Sequence, residues 1–295
     1  MNAKKLIVFL LWAFLPMVVA GFVLREIGGA VGTTAPSDPT VAMMTMVLSA
    51  GSMFIPLLAV VFTQLIFKEP VLKGLGISFK FNRWWVIGWL LMPLISFVVI
   101  GMTLLMPGAQ WSPESEMIRA ALAQMPEGFN VWMVLAISVV SGLFAGFTIN
   151  ALFAFGEEVA WRGFLMNEFK GKKFFTAALW IGLIWGLWHA PIILNGHNYP
   201  QHPVIGVFMM VVCCLLLTPM LMYFRLKGGS VIVPAIVHGT LNAVAGLTLM
   251  VVTPVNDLLY GACGLAGFIV LLCVDLCLYL YDTRISKKHI FSSAL

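Results

Sequence analysis

The sequence predicts an all-α membrane protein that crosses the bilayer about eight times and carries a polar site inside the membrane. Of its 295 residues, 61% are hydrophobic and only 10% are charged, and the mean hydropathy is +1.00. The apolar residues form runs long enough to cross the ~30 Å hydrocarbon core as helices. Charged residues nevertheless interrupt one of these runs, in the stretch FAFGEEVAWRGFL at residues 153–165.

Eight apolar runs are candidates for membrane-spanning helices. They lie near residues 6–24, 41–67, 84–106, 131–156, 174–194, 204–224, 230–251 and 258–280. The first run follows two lysines, so a cleaved signal peptide is an alternative interpretation, but its length and the bulky Trp12 and Phe14 favour a retained helix. We divide the chain into N-terminal helices (1–130), a core (131–251) and a last helix with a basic tail (252–295).

The basic residues are distributed unevenly between the two sides of the membrane. Of the 17 lysines and arginines, 15 lie in the termini or in connections that alternating helices place on one side, and only Arg25 and Arg119 lie on the other. Because basic residues stay in the cytoplasm during insertion, both termini are predicted to be cytoplasmic, in a multi-pass protein of the plasma membrane. The net charge of +5 reflects this bias, and no nucleic-acid-binding signature accompanies it.

The charged residues within the stretch 153–165 need a reason to be there. At the centre of a bilayer, Glu157, Glu158 and Arg162 would each cost roughly 2.5–3.5 kcal/mol. Glu158 and Arg162 are four residues apart, the spacing at which a carboxylate and a guanidinium meet on one helix face. This pairing would neutralise two charges and would leave Glu157 available for chemistry. The simpler interpretation is that all three lie in a wet cytoplasmic connection.

Helix geometry favours a site within the membrane. If the fourth helix continues to Lys170 and the KGKK stretch (170–173) forms a hairpin tip, Glu157 lies 16 residues before Lys173 and His189 lies 16 after it. Both side chains would then be ~24 Å from the tip and would face each other at one depth. If the charged tip projects ~10 Å into the cytosol, Glu157 and His189 lie at a depth of ~14 Å in the membrane. His238 is nine residues past the turn that ends at Gly229, which gives the same depth of ~14 Å.

Five polar residues are therefore expected to converge at one level of the membrane. They are Glu157, Glu158, His189, His238 and Asn242, the last on the same helix face as His238. Two histidines level with a glutamate are by default a functional site, although a single buried histidine more often links two helices. His197 and His202 lie in the polar connection NGHNYPQH, and we assign them no role beyond exposure.

Three short motifs carry a family resemblance. EEVAWR (157–162), WGLWH (185–189) and HGTLN (238–242) resemble the EExxxR, FxxxH and HxxxN signatures of the CAAX-protease and bacteriocin-processing (CPBP, or Abi) family of intramembrane endopeptidases. The resemblance covers roughly residues 131–251 and implies an eight-span helical architecture. Trp185 stands where the second signature usually has phenylalanine, so the shape of the pocket differs while a large aromatic side chain is kept.

The resemblance implies hydrolysis of a peptide bond inside the membrane. Glu157 would act as the general base, with His189 holding the attacking water, and His238 and Asn242 would donate hydrogen bonds to the oxyanion. Arg162 would hold Glu158. We favour a mechanism without a cofactor, but His189, His238 and Glu157 would also make a catalytic zinc site. The implied partner is a membrane-embedded or lipidated peptide or protein, including prenylated CAAX proteins.

Two functions of other classes remain as alternatives. An ion-coupled transporter could relay protons through Glu157 and the histidines, although we find no internal repeat of the kind such transporters carry. A non-catalytic bacteriocin-immunity protein would not need the complete set of polar residues. Nothing in the sequence chooses between a prenylated substrate and a bacteriocin precursor.

Overall fold

The computed structural model describes residues 2–27, 38–72 and 74–295 and shows a bundle of helices. The helices are α1 (Ala3–Glu26), α2 (Pro39–Ser52), α3 (Ile55–Ile66), α4 (Arg83–Leu104), α5 (Glu116–Leu122), α6 (Val131–Phe147), α7 (Ile149–Glu158), a π-helical segment (Val159–Leu165), α8 (Met166–Glu168), α9 (Phe174–Trp188), α10 (Ala190–Ile193), α11 (Pro203–Gly228), α12 (Ile232–Val244), α13 (Leu247–Val251) and α14 (Leu265–Arg284). Two short strands, β1 (Gln110–Trp111) and β2 (Val252–Thr253), pair antiparallel.

The predicted class of all-α polytopic membrane protein is confirmed. In the described residues, five helices are long and apolar enough to cross a membrane: α1, α4, α11, α12 with α13, and α14. The number rises to seven if α2 with α3, and α6 with the helical residues up to Glu168, each form one bent span. The one remaining predicted span, 174–194, corresponds to α9, whose 15 residues cover only ~22 Å.

Two helices that were predicted to be continuous are broken. The predicted helix 41–67 bends by 42° between α2 and α3, where Pro56 begins the second part. The predicted helix through 131–156 bends by 48° at Thr148, whose hydroxyl donates to the carbonyl of Phe144 at 2.7 Å. Such back-bonding from a threonine to the preceding turn bends a helix. Hydropathy does not register either break, because both lie within apolar sequence.

The predicted helix 230–251 is confirmed as one candidate span, Ile232–Val251, with a turn near Gly246 between α12 and α13. Two other predicted boundaries were wrong, each for a local reason. The predicted helix 174–194 ends at Trp188, just before Pro191, which lacks an N–H group. The predicted helix 258–280 begins only at Leu265, after a run of turns. The sequence analysis also missed α5 and the pair of two-residue strands, which are too short to give a periodic pattern.

The first helix is an integral part of the bundle. Phe9, Ala13 and Met17 are fully buried, and the carbonyl of Ala13 accepts a hydrogen bond from the indole of Trp188 at 3.1 Å. The side chain of Phe9 packs edge-on against Trp161, next to the polar motif. The helix therefore supports the part of the core that carries the site.

Helix α12 lies at the centre of the fold and packs against α4, α6, α7 and α11. Two glycines allow its close approach to the helices that carry the glutamates. A Cβ atom at Gly239 would lie 2.6 Å from the backbone nitrogen of Ala151 in α7, and one at Gly146 in α6 would lie 2.5 Å from the Cα of Thr240. These contacts place His238 directly opposite the end of α7.

The basic residues gather at one end of the bundle, which we call the basic end. Lys5 Nζ forms ion pairs with Glu69 at 2.6 Å and with Glu168 at 2.8 Å, which joins the start of α1 to the ends of α3 and α8. The C-terminal Leu295 donates its N–H to the carbonyl of Lys172 at 3.0 Å. The opposite end, which we call the far end, contains α5, the strand pair and the connections 194–202 and 252–264.

The uneven charge predicts the orientation of the fold in the membrane. A reporter fused at the C terminus is expected to be cytoplasmic, and a reporter inserted at Gly108, in the exposed connection after α4, is expected to be external. In matched fusions at each site, phosphatase activity would report an external position, and fluorescence of the cytoplasmic reporter would report a cytoplasmic one. A cytoplasmic signal at Gly108 would contradict the predicted topology.

Candidate active site

A cavity of about 330 Å³ lies between α4, α9, α11 and α12 and reaches the end of α7. Four of the six predicted site residues line it: Glu157, His189, His238 and Asn242. The predicted convergence of these residues from three separate segments is therefore observed. Much of the remaining lining is apolar and comes from α4 and α11, with Ser49 and Ser52 from α2, so the polar groups face a largely apolar space. Clefts of this kind are the usual sites of ligand binding.

Glu157 is held on one of its two oxygens. It is only 2% exposed, and the indole N–H groups of Trp161 and Trp185 donate to its Oε2 atom at 3.2 and 2.6 Å. Within the described residues, no hydrogen bond to Oε1 is formed. The two indoles therefore fix the carboxylate plane, while Oε1 is available to a molecule in the cavity. Fixing a reactive group in this way removes the cost of orienting it during reaction.

Glu158 and Arg162 form the predicted ion pair behind the cavity. Both side chains are fully buried, and Arg162 Nη1 donates to Glu158 Oε1 at 2.9 Å. The other end of the guanidinium donates to Thr218 Oγ1 at 3.1 Å, and its Cζ atom lies 4.3 Å from the ring centroid of Trp185. A buried ion pair of this kind is strongly destabilised when one partner is removed, because the other charge is left without compensation.

The polar motif lies where the helix changes from α to π geometry. The π-helical segment, residues Val159–Leu165, directly follows the two glutamates, and all seven of its residues are buried. π-Helical turns inside helices occur frequently at functional sites. The sequence analysis assumed a regular α-helix up to Lys170, and this assumption was wrong. The change to π geometry did not prevent the ion pair between Glu158 and Arg162, which are four residues apart.

His189 and His238 are each held through the Nδ1 atom of the ring. His189 Nδ1 lies 2.8 Å from the carbonyl oxygen of Trp185, and His238 Nδ1 lies 3.0 Å from Glu158 Oε1. Carbonyl and carboxylate oxygens only accept hydrogen bonds, so the proton of each neutral ring is on Nδ1. The Nε2 atoms then accept hydrogen bonds in the neutral form. His238 becomes a donor through Nε2 only when its ring is protonated.

Asn242 lies one turn beyond His238 on α12 and is exposed to the cavity. Its side-chain amide carries two N–H donors whatever the pH. It can therefore meet a negatively charged oxygen beside His238 without a prior proton transfer. The spacing of four residues in HGTLN places the side chains of His238 and Asn242 on one face of α12.

His197 was expected from the sequence to be exposed, and that expectation was wrong, because its side chain is half-buried. The connection 194–202 folds back onto the bundle, because Tyr199 is fully buried and its hydroxyl donates to the carbonyl of Cys263 at 2.6 Å. His197 consequently lines the cavity. Burial, with a smaller effect from His189, lowers the pKa of His197 to about 4, so it is neutral near pH 7. His202, in contrast, bonds Asp257 at 2.7 Å near the far end, outside the cavity lining.

The zinc hypothesis can be tested against the arrangement of ligands. The free Nε2 atoms of His189 and His238 suit a metal, since ligating histidines usually donate their other nitrogen to a carbonyl or a carboxylate. A catalytic zinc site also needs a third protein ligand. Across residues 2–27, 38–72 and 74–295, no three His, Cys, Asp or Glu side chains come together closely enough to hold a metal ion. The ligand set is thus incomplete in this arrangement.

The fold and the cavity together define the class of protein. A polytopic helical membrane protein in which a buried, fixed carboxylate, two histidines and an amide line one cavity has the parts of an intramembrane hydrolase. Residues 128–244 match the family described as type II CAAX prenyl endopeptidase Rce1-like. This match confirms the resemblance to the CAAX-protease and bacteriocin-processing family and implies a membrane-embedded protease. No curated protein matches the chain.

The tryptophan that departs from the family signature makes the shortest hydrogen bond to Glu157, and its loss should be measurable. We expect Trp185→Phe to lower kcat roughly 10- to 100-fold with little change in KM, since a hydrogen bond to a charged group contributes roughly 1.5–3 kcal/mol. Phenylalanine keeps the ring beside Arg162 and removes only the N–H donor. Trp161→Phe is the matched comparison and should have a smaller effect, because its bond is longer. Equal rates for the wild-type protein, Trp185→Phe and Trp161→Phe would show that the indoles do not position the carboxylate.

Proposed function

We propose that this protein is an intramembrane endopeptidase in which Glu157 activates a water molecule that hydrolyses a peptide bond. The observation that carries the proposal is a buried carboxylate that two indoles hold through one oxygen at the wall of a membrane-embedded cavity. An ion pair alone would explain Glu158 and Arg162, but it would not explain why Glu157 faces the cavity. The family match supports protease chemistry for this arrangement.

In the proposed reaction, water lies between Glu157 Oε1 and His189 Nε2. Glu157 takes a proton as the water oxygen attacks the carbonyl carbon, and His189 accepts the hydrogen bond from the second hydrogen. The negative charge moves to the carbonyl oxygen in the tetrahedral intermediate. When the C–N bond breaks, Glu157 returns its proton to the leaving amine, which restores the carboxylate. The products are a new carboxyl terminus and a new amino terminus.

Two side chains of α12 support the charge on the carbonyl oxygen. Asn242 donates an amide N–H to the oxyanion, and His238 adds a second donor when its ring is protonated. Glu158 accepts from His238 Nδ1 and so orients the ring, while Arg162 donates to Glu158 and Thr218 accepts from the guanidinium. Donors that are fixed before charge develops contribute a large part of the rate in such sites.

The metal-free mechanism gives a specific expectation for chelation. Because no three potential ligands among the described residues come close enough together to hold a metal ion, the purified protease should retain its rate after extended treatment with phenanthroline and should not gain activity on addition of zinc. The rate is followed on a fluorogenic peptide in detergent, and the metal content is measured in the same sample. Activity that follows zinc content, with near-stoichiometric metal in the active protein, would replace the glutamate mechanism with a zinc mechanism.

The same preparation tests the function itself. Wild-type protein in liposomes should cleave peptides, and it should move no protons across the vesicle membrane. The candidate substrates are segments of membrane-embedded or lipidated proteins, since the cavity lies among helices that span the bilayer. Proton flux that depends on Glu157, without cleavage of any peptide, would favour an ion-coupled transporter. Inactivity in both assays would favour the immunity protein.

A further inference from the structure

We propose that Cys213 and Cys263 form a reversible disulfide in the wall of the cavity, and that this bond slows cleavage when the protein is exposed to a peroxide. Formation of the bond does not depend on the proposed function, whereas its effect on the rate rests on that function. The modifying agent is a small oxidant, and the modified groups are two thiols that take no part in the proposed reaction.

The sulfur atoms of Cys213 and Cys263 are already in contact. Cys213 belongs to α11 and Cys263 to the connection before α14, 50 residues further along the chain, and the Cys213 thiol donates to Cys263 Sγ at 3.9 Å. Both residues line the cavity that contains Glu157. A disulfide needs its two sulfurs to approach to about 2.05 Å. Rotation of the Cys263 side chain, which does not belong to a helix, can supply much of this movement.

The other three cysteines do not offer such a pair. Cys214 also lines the cavity, but its thiol donates to a methionine sulfur at 3.8 Å. Cys273 and Cys277 are exposed on α14. All five cysteines lie in the part of the chain that the structure describes, and within that part a hydrogen bond between two cysteine sulfurs joins only Cys213 and Cys263. Oxidation should therefore select this pair.

Cys263 is the thiol that an oxidant should meet first. It is half-buried, whereas Cys213 is only 2% exposed. The hydrogen bond from Cys213 lowers the pKa of the Cys263 thiol, against the opposing effect of burial. The thiolate is the form that reacts with oxidants, and redox-sensitive cysteines often lie beside a second cysteine that resolves the first product. Cys263 and Cys213 fit these two roles.

The proposed oxidation consumes one hydrogen peroxide and releases two waters. The Cys263 sulfur attacks one peroxide oxygen, the O–O bond breaks, and the departing hydroxide takes the Cys263 thiol proton, which leaves a sulfenic acid. The Cys213 sulfur then attacks the Cys263 sulfur, the S–O bond breaks, and this hydroxide leaves as water with the Cys213 proton. The two sulfurs together lose two electrons, which the peroxide gains. A dithiol reductant reverses the bond by thiol–disulfide exchange.

The disulfide would fix the connection 252–264 against α11. This connection is already held elsewhere, since the carbonyl of Cys263 accepts from the hydroxyl of Tyr199 at 2.6 Å and the N–H of Gly261 donates to Thr103 Oγ1 at 3.3 Å. A cavity of about 330 Å³ is at the small end of the range for ligand clefts, so we expect a bound peptide to push the wall outward. A covalent bond within the wall opposes that movement and therefore slows cleavage.

Peptide mapping of oxidised protein tests the bond without any need for enzymatic activity. Purified wild-type protein in detergent is treated with hydrogen peroxide, and the remaining thiols are blocked before digestion and mass spectrometry. We expect one disulfide, between Cys213 and Cys263, which disappears after treatment with dithiothreitol. The proposal would be overturned if both thiols stayed free, if either cysteine paired with another one, or if Cys263 were oxidised further without a bond to Cys213.

The cleavage rate then tests the effect of the bond. Before oxidation, the wild-type protein, Cys263→Ser and Cys213→Ala should cleave a fluorogenic peptide at similar rates. After peroxide treatment, the wild-type rate should fall about tenfold, because restrained movements of this kind limit the rate of many enzymes. Dithiothreitol should restore it, and both variants should keep their rates. Methionine oxidation is the competing effect, and dithiothreitol does not reverse it.

Two results would overturn the effect on the rate. Equal losses in the wild-type protein and in Cys263→Ser would assign inactivation to other oxidised residues. A mapped disulfide with an unchanged rate would show that the wall does not have to move. If the reduced wild-type protein cleaves no peptide, the proposed function fails, while the mapping still confirms or excludes the disulfide.

Discussion

Glu157→Gln is expected to reduce peptide cleavage by about 10²–10⁴-fold, the usual loss when a general base is removed. Glutamine has the same shape and keeps a carbonyl oxygen that can accept from the indoles of Trp161 and Trp185, so the protein should remain folded and inserted. It cannot take a proton from water at neutral pH. The measurement is the single-turnover rate of purified wild-type and variant protein on one fluorogenic peptide.

Two comparisons make this result specific. Glu116→Gln makes the same chemical change at an exposed position at the start of α5, outside the lining of the cavity, and should leave the rate unchanged. His189→Ala removes the proposed partner of the same water molecule and should also abolish cleavage. A folded Glu157→Gln protein that cleaves at the wild-type rate would exclude Glu157 as the base.

Asn242→Ala is expected to lower the rate of bond cleavage by about 10²–10³-fold while peptide binding changes little. The amide donor acts mainly when charge develops on the carbonyl oxygen, so its removal affects the transition state more than the bound substrate. Comparison of kcat with the dissociation constant of an uncleaved peptide, measured in the Glu157→Gln background, separates the two effects. Asn242→Asp is a useful companion, because it keeps the size but presents a carboxylate to the oxyanion.

A parallel loss of binding and of rate in Asn242→Ala would contradict the role as an oxyanion donor. It would instead show that Asn242 shapes the cavity or binds the substrate in its ground state. A wild-type rate would leave the protonated His238 as the donor that supports the charge.

The polar site could be predicted from the sequence because its spacing follows from regular helices. Helical rise alone placed Glu157, His189 and His238 at one depth, and residues four apart placed Asn242 beside His238 and Arg162 beside Glu158. These inferences tolerate small errors in helix boundaries. They held even though the helix that carries the glutamates bends at Thr148 and changes to π geometry at Val159.

Other features depend on contacts between segments that are distant in sequence. The role of Trp185 as a donor to Glu157 requires the packing of α9 against the end of α7, and hydropathy showed only a large aromatic residue. The position of His197 in the cavity depends on the burial of Tyr199 against Cys263. The break between α2 and α3 lies against α7, since a Cβ atom at Gly156 would be 2.5 Å from the carbonyl of Met53. A pattern of apolar runs does not contain this information.

The most direct test of the proposed function is a comparison of membrane proteins from cells that carry the wild-type gene and cells that carry Glu157→Gln. Quantitative proteomics with enrichment of new termini should find one or a few precursors that accumulate uncut in the variant. The corresponding cleaved termini should appear only with the wild-type and Glu116→Gln proteins. Identical termini in all three strains, with wild-type and variant proteins present at equal levels, would contradict the proposal that Glu157 serves an intramembrane protease.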